Sequence, residues 1–256
     1  MELYQYIIAI IGGAVAGSIN TLAGSGSAIT LTIFTEILGL PPNVANGSNR
    51  VGTFTQTAAA TYGFYKNGKL NLKRSKGVII LTTIGAIGGV IVATQVSNEQ
   101  FKTVFSYLMI AMLFVILIKP KRWLRETDAE YRMPQWIFVP LFLAIGFYGG
   151  FIQMGMGVIF LVAMVLGAKY SIIESNAVKA FVVALYTIVV IAIFQWKGLI
   201  DWKMGGIVAI GQTVGGYMTA QFASRYEQAN VWAHRVLVVM VIAAIIMIFD
   251  LHEYLF

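Results

Sequence analysis

Long apolar stretches bounded by charged residues dominate the chain. Gly77 to Val96 and Met204 to Ser224 are mainly apolar. Each contains about 20 residues, the length that a helix needs to span a hydrocarbon core of roughly 30 Å. Shorter apolar runs lie between Lys102 and Lys119 and between Arg235 and Asp250, where the flanking bases can lengthen a span by reaching the interface. The pattern predicts transmembrane helices at all four places.

Two further apolar stretches, Leu3 to Thr35 and Met133 to Ala168, are too long for single helices, since each would reach roughly 50 Å. Each contains a glycine-rich segment, at 23–27 and 153–157, and Gly lets the backbone leave the helix and turn. We therefore predict two short helices that meet at each segment. Non-helical backbone inside a membrane must face protein or a water-filled cavity, so we expect these breaks to line a cavity. The alternative is that the glycines only allow close helix packing.

Several landmarks occur twice in the same order, separated by 127 to 131 residues. The pairs are Gly24-Ser25-Gly26 with Gly155-Met156-Gly157, Arg50 with Lys179, Gly68 with Gly198, Gly88-Gly89 with Gly215-Gly216, and Glu99-Gln100 with Glu227-Gln228. An internal duplication in a membrane chain is typical of secondary transporters. We expect one transmembrane domain over 1–256, with halves at 1–118 and 135–256 and a linker at 119–134. For the two Gly-Gly pairs alone, helix packing is the favoured interpretation.

The composition agrees with a membrane protein: 58% of residues are hydrophobic, 11% are charged and the mean hydropathy is +0.78, against about 45–50% and 25% in soluble domains. The chain contains no cysteine, which excludes disulfides and thiolate metal sites. No Lys or Arg precedes the first apolar stretch, so we do not expect a removable signal peptide.

The distribution of charge predicts the topology. The loop at 66–76 and the linker at 119–134 are rich in Lys and Arg, whereas Glu2, Asp250 and Glu253 flank the first and last spans. Basic loops stay in the cytoplasm, so we expect a cytoplasmic linker and two external termini. An odd number of crossings per half then gives an all-α integral membrane protein whose two homologous halves form an inverted repeat of about five helical segments each. A parallel repeat with four crossings per half is the alternative.

The net charge of +7 is explained by these loops and by their attraction to anionic membrane lipid, so nucleic acid is not an expected partner. Two bases, Arg50 and Lys179, do not belong to the loops. They follow the predicted helix starts at Pro41-Pro42 and Ser171 by about eight residues, or roughly 12 Å into the membrane. A base inside a membrane indicates a functional site. The alternative is that both side chains snorkel to the interface.

Polar residues accompany these two bases. Short helices whose N-termini point at the breaks would add partial positive charge and free N–H donors, which suit a small oxyanion. The predicted anion site comprises Arg50, Lys179, Asn20, Thr21, Gly24, Ser25, Gly26, Ser27, Asn46, Ser48, Asn49, Gln56, Gln153, Gly155, Gly157, Asn176 and Tyr186, and Thr53 belongs to the same polar set. The alternative for any single Ser, Thr or Asn is a hydrogen bond between helices.

Catalytic and metal-binding patterns are missing from the sequence. His234 and His252 lie near the ends of the last predicted span, without metal-ligand spacing or a Ser-His-acid set. We expect neither an enzyme nor a cofactor. The residues contain no signal for an oligomeric state.

The sequence resembles the sulfite exporter TauE/SafE family. The similarity is carried by the stretch from Gly17 to Ser27, by Leu40-Pro41-Pro42 and the segment from Ala45 to Arg50, by Tyr65 to Asn71, and in the second half by Gly149 to Gly157 and Gly198 to Trp202. The resemblance implies a bacterial or archaeal inner-membrane permease for small anions such as sulfite, sulfoacetate or thiosulfate. Thr32 stands where the family often has Pro, and Gln153 where it often has Gly.

These observations favour a secondary transporter of a small anion, with export as the direction that the resemblance implies. A proton or a sodium ion is a possible coupling partner. The alternatives are an anion-selective channel, an uptake permease for another small organic anion, and a membrane scaffold without transport activity.

Overall fold

The protein is described by a computed structural model that covers residues 2–104, 107, 128, 130–131 and 133–226. Every regular element of the described residues is helical: α1 (Leu3–Leu22), α2 (Gly26–Thr32) with the π-helical turn π1 (Ile33–Ile37), α3 (Pro42–Lys66), α4 (Lys76–Ala93), α5 (Gln135–Phe151), α6 (Met156–Val162) with π2 (Ala163–Gly167), α7 (Ile172–Trp196) and α8 (Trp202–Ala223). The predicted spans at 102–119 and 235–250, both histidines and Glu227-Gln228 lie largely or wholly outside the described residues.

The same series of elements occurs twice. α1, α2, π1, α3 and α4 contain 20, 7, 5, 25 and 18 residues, and their counterparts α5, α6, π2, α7 and α8 contain 17, 7, 5, 25 and 22. Three of the described helices, α1, α4 and α7, are long and apolar enough to cross a membrane. The helix predicted around 77–96 is α4, and the one predicted around 204–224 is α8.

Both long apolar stretches break where the glycines predict. α1 ends before Gly24, which has a φ of +80°, and α5 ends before Gln153, which has a φ of +64°. Their N–H groups bond back to the carbonyls of Ile19 (3.1 Å) and Tyr148 (3.3 Å). A residue in the left-handed conformation commonly ends a helix. Each apolar stretch therefore breaks into two helices, as expected, but the first of each pair, with 20 and 17 residues, is not short as predicted.

The helices on either side of each break form a hairpin. In the first, Gln5 Nε2 donates to the Ile37 carbonyl (3.0 Å), so π1 returns to the beginning of α1. In the second, the end of π2 at Gly167 lies beside Met133, just before α5. The two hairpin tips meet, because the Gly157 N–H donates to the Gly24 carbonyl (3.1 Å).

Pairs of glycines join helices of different halves. Four Gly-x-x-x-Gly pairs let backbones approach closely: Gly13/Gly17 of α1 with Gly211/Gly215 of α8, and Gly146/Gly150 of α5 with Gly85/Gly89 of α4. In both pairs, later residues of one helix contact later residues of the other, so α1 runs parallel to α8 and α4 runs parallel to α5. The expectation that Gly89 and Gly215 serve helix packing is confirmed.

α3 and α7, the longest of the described helices with 25 residues each, pack against each other. α3 also runs parallel to α8, since Gly205 packs on Ser48 and Gly216 on Gln56. α3 and α7 are antiparallel: Phe194 near the end of α7 lies over Arg50 near the beginning of α3, and Phe64 at the other end of α3 clusters with Ala177. This crossing carries both buried bases.

Candidate functional site

Arg50 lies in the third turn of α3, which begins with Pro42 in its first turn. Its side chain is 0% exposed. Nη1 donates to the Gly149 carbonyl (2.7 Å) and to Gln153 Oε1 (2.6 Å), and Nη2 donates to the carbonyls of Gly150 (3.1 Å) and Phe151 (3.3 Å). These three carbonyls are the last of α5. Arg50 of the first half therefore caps the broken helix of the second half.

Lys179 makes the reciprocal arrangement from α7. That helix begins at Ser171, whose Oγ accepts the Glu174 N–H (3.3 Å), as the capping-box pattern predicts. The Lys179 side chain is 4% exposed, and Nζ donates to the carbonyls of Asn20 (2.9 Å) and Thr21 (3.1 Å) and to Asn176 Oδ1 (2.6 Å). Asn20 and Thr21 lie in the last turn of α1. Both bases are thus buried inside the protein, which contradicts the snorkelling alternative.

An asparagine accompanies each base. Asn46 Nδ2 donates to the Phe151 carbonyl (2.9 Å) and its Oδ1 accepts from Arg50 (3.1 Å). Asn176 Nδ2 donates to the Leu22 carbonyl (3.2 Å) while Oδ1 accepts from Lys179. Each half therefore contributes a base and an amide to the end of the other half's broken helix.

The two asparagines are structural counterparts, but the two bases are not. α3 begins at residue 42 and α7 at 172, an offset of 130, and the same offset relates Asn46 to Asn176. It pairs Arg50 with Ala180 and Lys179 with Asn49. The sequence pairing of Arg50 with Lys179 was therefore wrong by one position. Arg50, which has the longer side chain, lies four residues after Asn46, whereas Lys179 lies three residues after Asn176. Both side chains nevertheless reach the end of the facing helix.

The site carries two positive charges without a matching acid. No carboxylate is buried within the described residues, where Arg50 and Lys179 are the only buried charged side chains. Their partners are C-terminal helix carbonyls, which bear a partial negative charge, and neutral amides. All three Lys179 protons have acceptors, and Arg50 Nε is the one guanidinium nitrogen without a described partner. An incoming anion must therefore compete with the helix ends for these protons.

A small cavity of about 10 Å³ lies beside Lys179. Such a volume holds about one water molecule. Six of the predicted site residues line it, namely Asn20, Thr21, Gln56, Gln153, Gly157 and Lys179, and so do Thr57, Met156, Ala180 and Val183, which were not predicted. A hydrogen-bonded chain fixes its polar wall: Asn20 Nδ2 donates to Gln56 Oε1 (2.7 Å) and Gln56 Nε2 donates to Thr21 Oγ1 (2.9 Å).

Two of the predicted glycines pack instead of lining this cavity. A Cβ on Gly24 would overlap the backbone of Gly157, and one on Gly26 would overlap the Ala16 carbonyl and the Asn20 side chain. The expectation that the breaks line a cavity is therefore wrong at Gly24 and Gly26, which serve the close packing given as the alternative. Gly157 does both, and Gly155 supplies the left-handed residue (φ +70°) before α6.

The remaining predicted residues are buried around the same crossing. Ser48 Oγ accepts the Asp201 N–H (2.8 Å) and so fixes the start of α8. Asn49 Oδ1 accepts from Thr30 Oγ1 (2.6 Å). Four buried polar groups, the hydroxyls of Ser25, Ser27 and Tyr186 and the Asn49 amide nitrogen, have no hydrogen-bond partner within the described residues.

Gln212 of α8 is a buried polar residue that the sequence reasoning missed. It is 1% exposed, and both atoms of its amide lack a hydrogen-bond partner in the described part of the chain. Its position between Gly211 and Gly215-Gly216, in the middle of a mainly apolar predicted span, was the signal that could have found it. No group of His, Cys, Asp and Glu that could hold a metal occurs among the described residues.

The family model for the sulfite exporter TauE/SafE matches residues 9–248 of the chain. The chain is 29% identical to a probable membrane transporter protein, ORF9, of Sinorhizobium sp, over 84% of this chain and 80% of the relative. It is 26% identical to a probable membrane transporter protein of Haemophilus influenzae, over 82% and 81%. It is 25% identical to the probable membrane transporter protein YfcA of Escherichia coli K12, over 79% and 75%. No solved structure gives a significant match.

The match covers nearly the whole chain, and each of these relatives is named as a membrane transporter. The apolar helices, the paired glycines and the buried bases agree with such a protein. The chain therefore belongs to the sulfite exporter TauE/SafE family of membrane transporters.

Proposed function

We propose that the protein is a secondary transporter that moves a small anion such as sulfite, sulfoacetate, thiosulfate or a related organosulfonate across the inner membrane by alternating access. One observation carries the proposal: Arg50 and Lys179 meet the two helix breaks with no buried carboxylate within the described residues. A buried cation costs about 2.5–3.5 kcal/mol or more in a membrane. A site that retains two of them is suited to an anionic ligand.

The anion binds by exchange of hydrogen-bond acceptors. Lys179 Nζ gives its three protons to the Asn20 and Thr21 carbonyls and to Asn176. An oxyanion that accepts one of these hydrogen bonds displaces a helix carbonyl or the Asn176 amide oxygen, because a bond between an ammonium and an anion has a full charge on both partners, whereas the present acceptors are neutral. The end of α1 then loses part of its cap, and Arg50 stands in the same relation to α5.

This exchange links binding to movement of the hairpin tips. The cavity of about 10 Å³ admits no sulfite-sized anion while the Gly157 N–H remains bonded to the Gly24 carbonyl. The tips must therefore separate before the site can be filled. Because each base belongs to one half and caps a helix of the other, weakening a cap also weakens the contact between the halves.

The proposal includes an inverted repeat with both termini outside. It is supported by helix directions: α1, α3 and α8 run one way, and their counterparts α5, α7 and α4 run the other way. The basic 66–76 loop and the linker lie at the same end of the bundle. The Arg74 guanidinium donates to the Asp128 carbonyl of the linker, and Tyr170 Oη donates to the Arg74 carbonyl (3.2 Å). Basic segments remain cytoplasmic, which supports an orientation with this end inside.

Flux in sealed proteoliposomes tests the function. The purified protein is reconstituted with thiosulfate or sulfoacetate inside, and efflux is followed with and without imposed pH and sodium gradients. We expect saturable efflux that one of the gradients can drive against the anion's own gradient, and slower efflux from Arg50→Gln and Lys179→Gln. Flux that only follows the anion's electrochemical gradient would identify a channel, and no flux of any anion above empty liposomes would contradict the proposal.

A further inference from the structure

The cavity between the halves has two chemically different walls. α1 and α3 of the first half contribute Asn20, Thr21, Gln56 and Thr57, all polar. α6 and α7 contribute Met156, Gly157, Ala180 and Val183, none of which has a polar side chain, in addition to the charged Lys179, and the break before α6 adds the single amide of Gln153. The folds of the halves are alike, but their side chains at the site are not.

The offset between the halves makes this difference specific. With the offset of 130 that relates α3 to α7, Thr53 is the counterpart of Val183. Gly17 lies seven residues before Gly24 and packs on Gln212, as Gly146 lies seven residues before Gln153 and packs on Thr82, so Gln212 is the counterpart of Thr82. At the first position α3 has a hydroxyl where α7 has an apolar residue of similar size, and at the second α8 has a longer amide side chain where α4 has a threonine.

Thr53 and Gln212 are also buried without hydrogen-bond partners. They are 0% and 1% exposed, and the Thr53 hydroxyl and both Gln212 amide atoms have no partner within the described residues. Buried polar groups normally have partners, and leaving them unpaired destabilises a fold. Both lie near the polar wall. Thr53 is one turn before Thr57, which donates to its carbonyl (2.7 Å), and the Gln212 amide lies against Gly52, one turn from where Gly216 packs on Gln56.

We propose that Thr53 and Gln212 are specificity-determining residues that donate hydrogen bonds to the oxygen atoms of the transported anion. α3 and α8 thereby bind the oxygen atoms of the anion, while α6 and α7 supply the charge of Lys179 and an apolar wall. This inference rests on the proposed function, since it assigns further residues to the same anion site. Neither residue forms part of the sequence motifs that carry the family resemblance.

The test uses purified full-length protein in lipid nanodiscs with thiosulfate and sulfoacetate as probes. The variants are Thr53→Val, which is nearly isosteric, and Gln212→Met. Thr213→Val is the matched control, because Thr213 neighbours Gln212 and its hydroxyl has partners, Thr55 Oγ1 (2.7 Å) and the Ala209 carbonyl (2.6 Å). Affinity and melting temperature are measured for each protein.

Removal of an unpaired group should not weaken the ligand-free fold, whereas removal of a ligand contact should weaken binding. We expect Thr53→Val and Gln212→Met to bind thiosulfate about three- to tenfold more weakly, with melting temperatures equal to or above the wild type and a changed ratio of the two affinities. Thr213→Val should melt earlier and bind normally.

Two results would overturn the inference. If Lys179→Gln weakens binding while Thr53→Val and Gln212→Met bind both anions like the wild type, these residues do not contact the substrate and the proposed function stands. If the wild type itself binds neither probe, the proposed function and this inference fail together. Should Gln212→Met not fold, Thr53→Val decides alone.

Discussion

Removal of the Lys179 charge tests the proposed binding step most directly. Lys179→Gln keeps polarity and approximate length but removes the ammonium, which donates three hydrogen bonds at 2.6 to 3.1 Å. A charge-assisted hydrogen bond to an anion contributes about 1.5–3 kcal/mol. The variant should therefore bind the anion about ten- to hundredfold more weakly. Arg50→Gln should do the same, and Arg50→Lys should be milder because it keeps the charge but loses the planar fork.

The stability of the ligand-free protein should change much less. Without the ammonium, the buried carbonyls of Asn20 and Thr21 lose strong donors, at about 1–3 kcal/mol for each group left unsatisfied. The variant is also relieved of a buried cation, which costs about 2.5–3.5 kcal/mol on insertion scales. The two ranges overlap, about 2–6 kcal/mol for the two carbonyls against about 2.5–3.5 kcal/mol for the cation, so the opposing effects offset each other in large part. A large loss of affinity with a small loss of stability distinguishes a ligand-binding base from a helix cap.

The assay is a thermal-shift titration with thiosulfate, since a ligand at 100 times its Kd stabilises the folded state by about 2.7 kcal/mol. Lys197→Gln is the matched control: Lys197 follows the same helix, α7, but is exposed. The control should bind like the wild type. Normal anion affinity in both Lys179→Gln and Arg50→Gln would refute the reasoning, because the two bases would then serve only to cap helices.

Three further predictions concern packing and topology. Gly89→Ala should lower the free energy of unfolding by about 1–3 kcal/mol, and with it the melting temperature, because the added Cβ overlaps the α5 backbone. Gly88→Ala should be neutral or slightly stabilising, since its Cβ meets one side chain at 3.7 Å. Gly157→Ala should force the hairpin tips apart at Gly24, and transport that survives unchanged would show that the tips need not touch. Because the chain contains no cysteine, single cysteines can map its faces: both termini should react from outside and the 66–76 loop from inside, and termini on opposite faces would contradict the inverted repeat.

The local features of the fold could be predicted from the sequence. The glycines at the two breaks, Pro42 in the first turn of α3 and Ser171 before α7 each act on neighbouring backbone, so a short window of sequence contains the whole cause. Burial of Arg50 could also be inferred, because an isolated base far from the basic loops stands out in an apolar context. The breaks and helix starts were confirmed for these reasons.

The contacts of the bases could not be predicted in the same way. Arg50 meets carbonyls about 100 residues later, and backbone carbonyls carry no side-chain signal in a sequence. The assignment of Gly24 to a cavity failed for a similar reason, since a glycine needed for close packing looks the same as one that lines a cavity. Gln153 is a further example: its φ of +64° is unusual for a residue other than Gly, and its hydrogen bond to Arg50 (2.6 Å) gives a reason for a side chain there.

The reciprocal caps also impose an order on biosynthesis. The Thr21 carbonyl at the end of α1 accepts a hydrogen bond from Lys179, which follows 158 residues later in the chain. At a synthesis rate of about 5–20 residues per second, the first hairpin waits roughly 8–30 s before the base that completes it leaves the ribosome. During that interval water or the insertion machinery must satisfy the end of α1. Slow steps in maturation should therefore depend on the arrival of α7, and a chain truncated before Lys179 should be degraded even though α1 to α6 are complete.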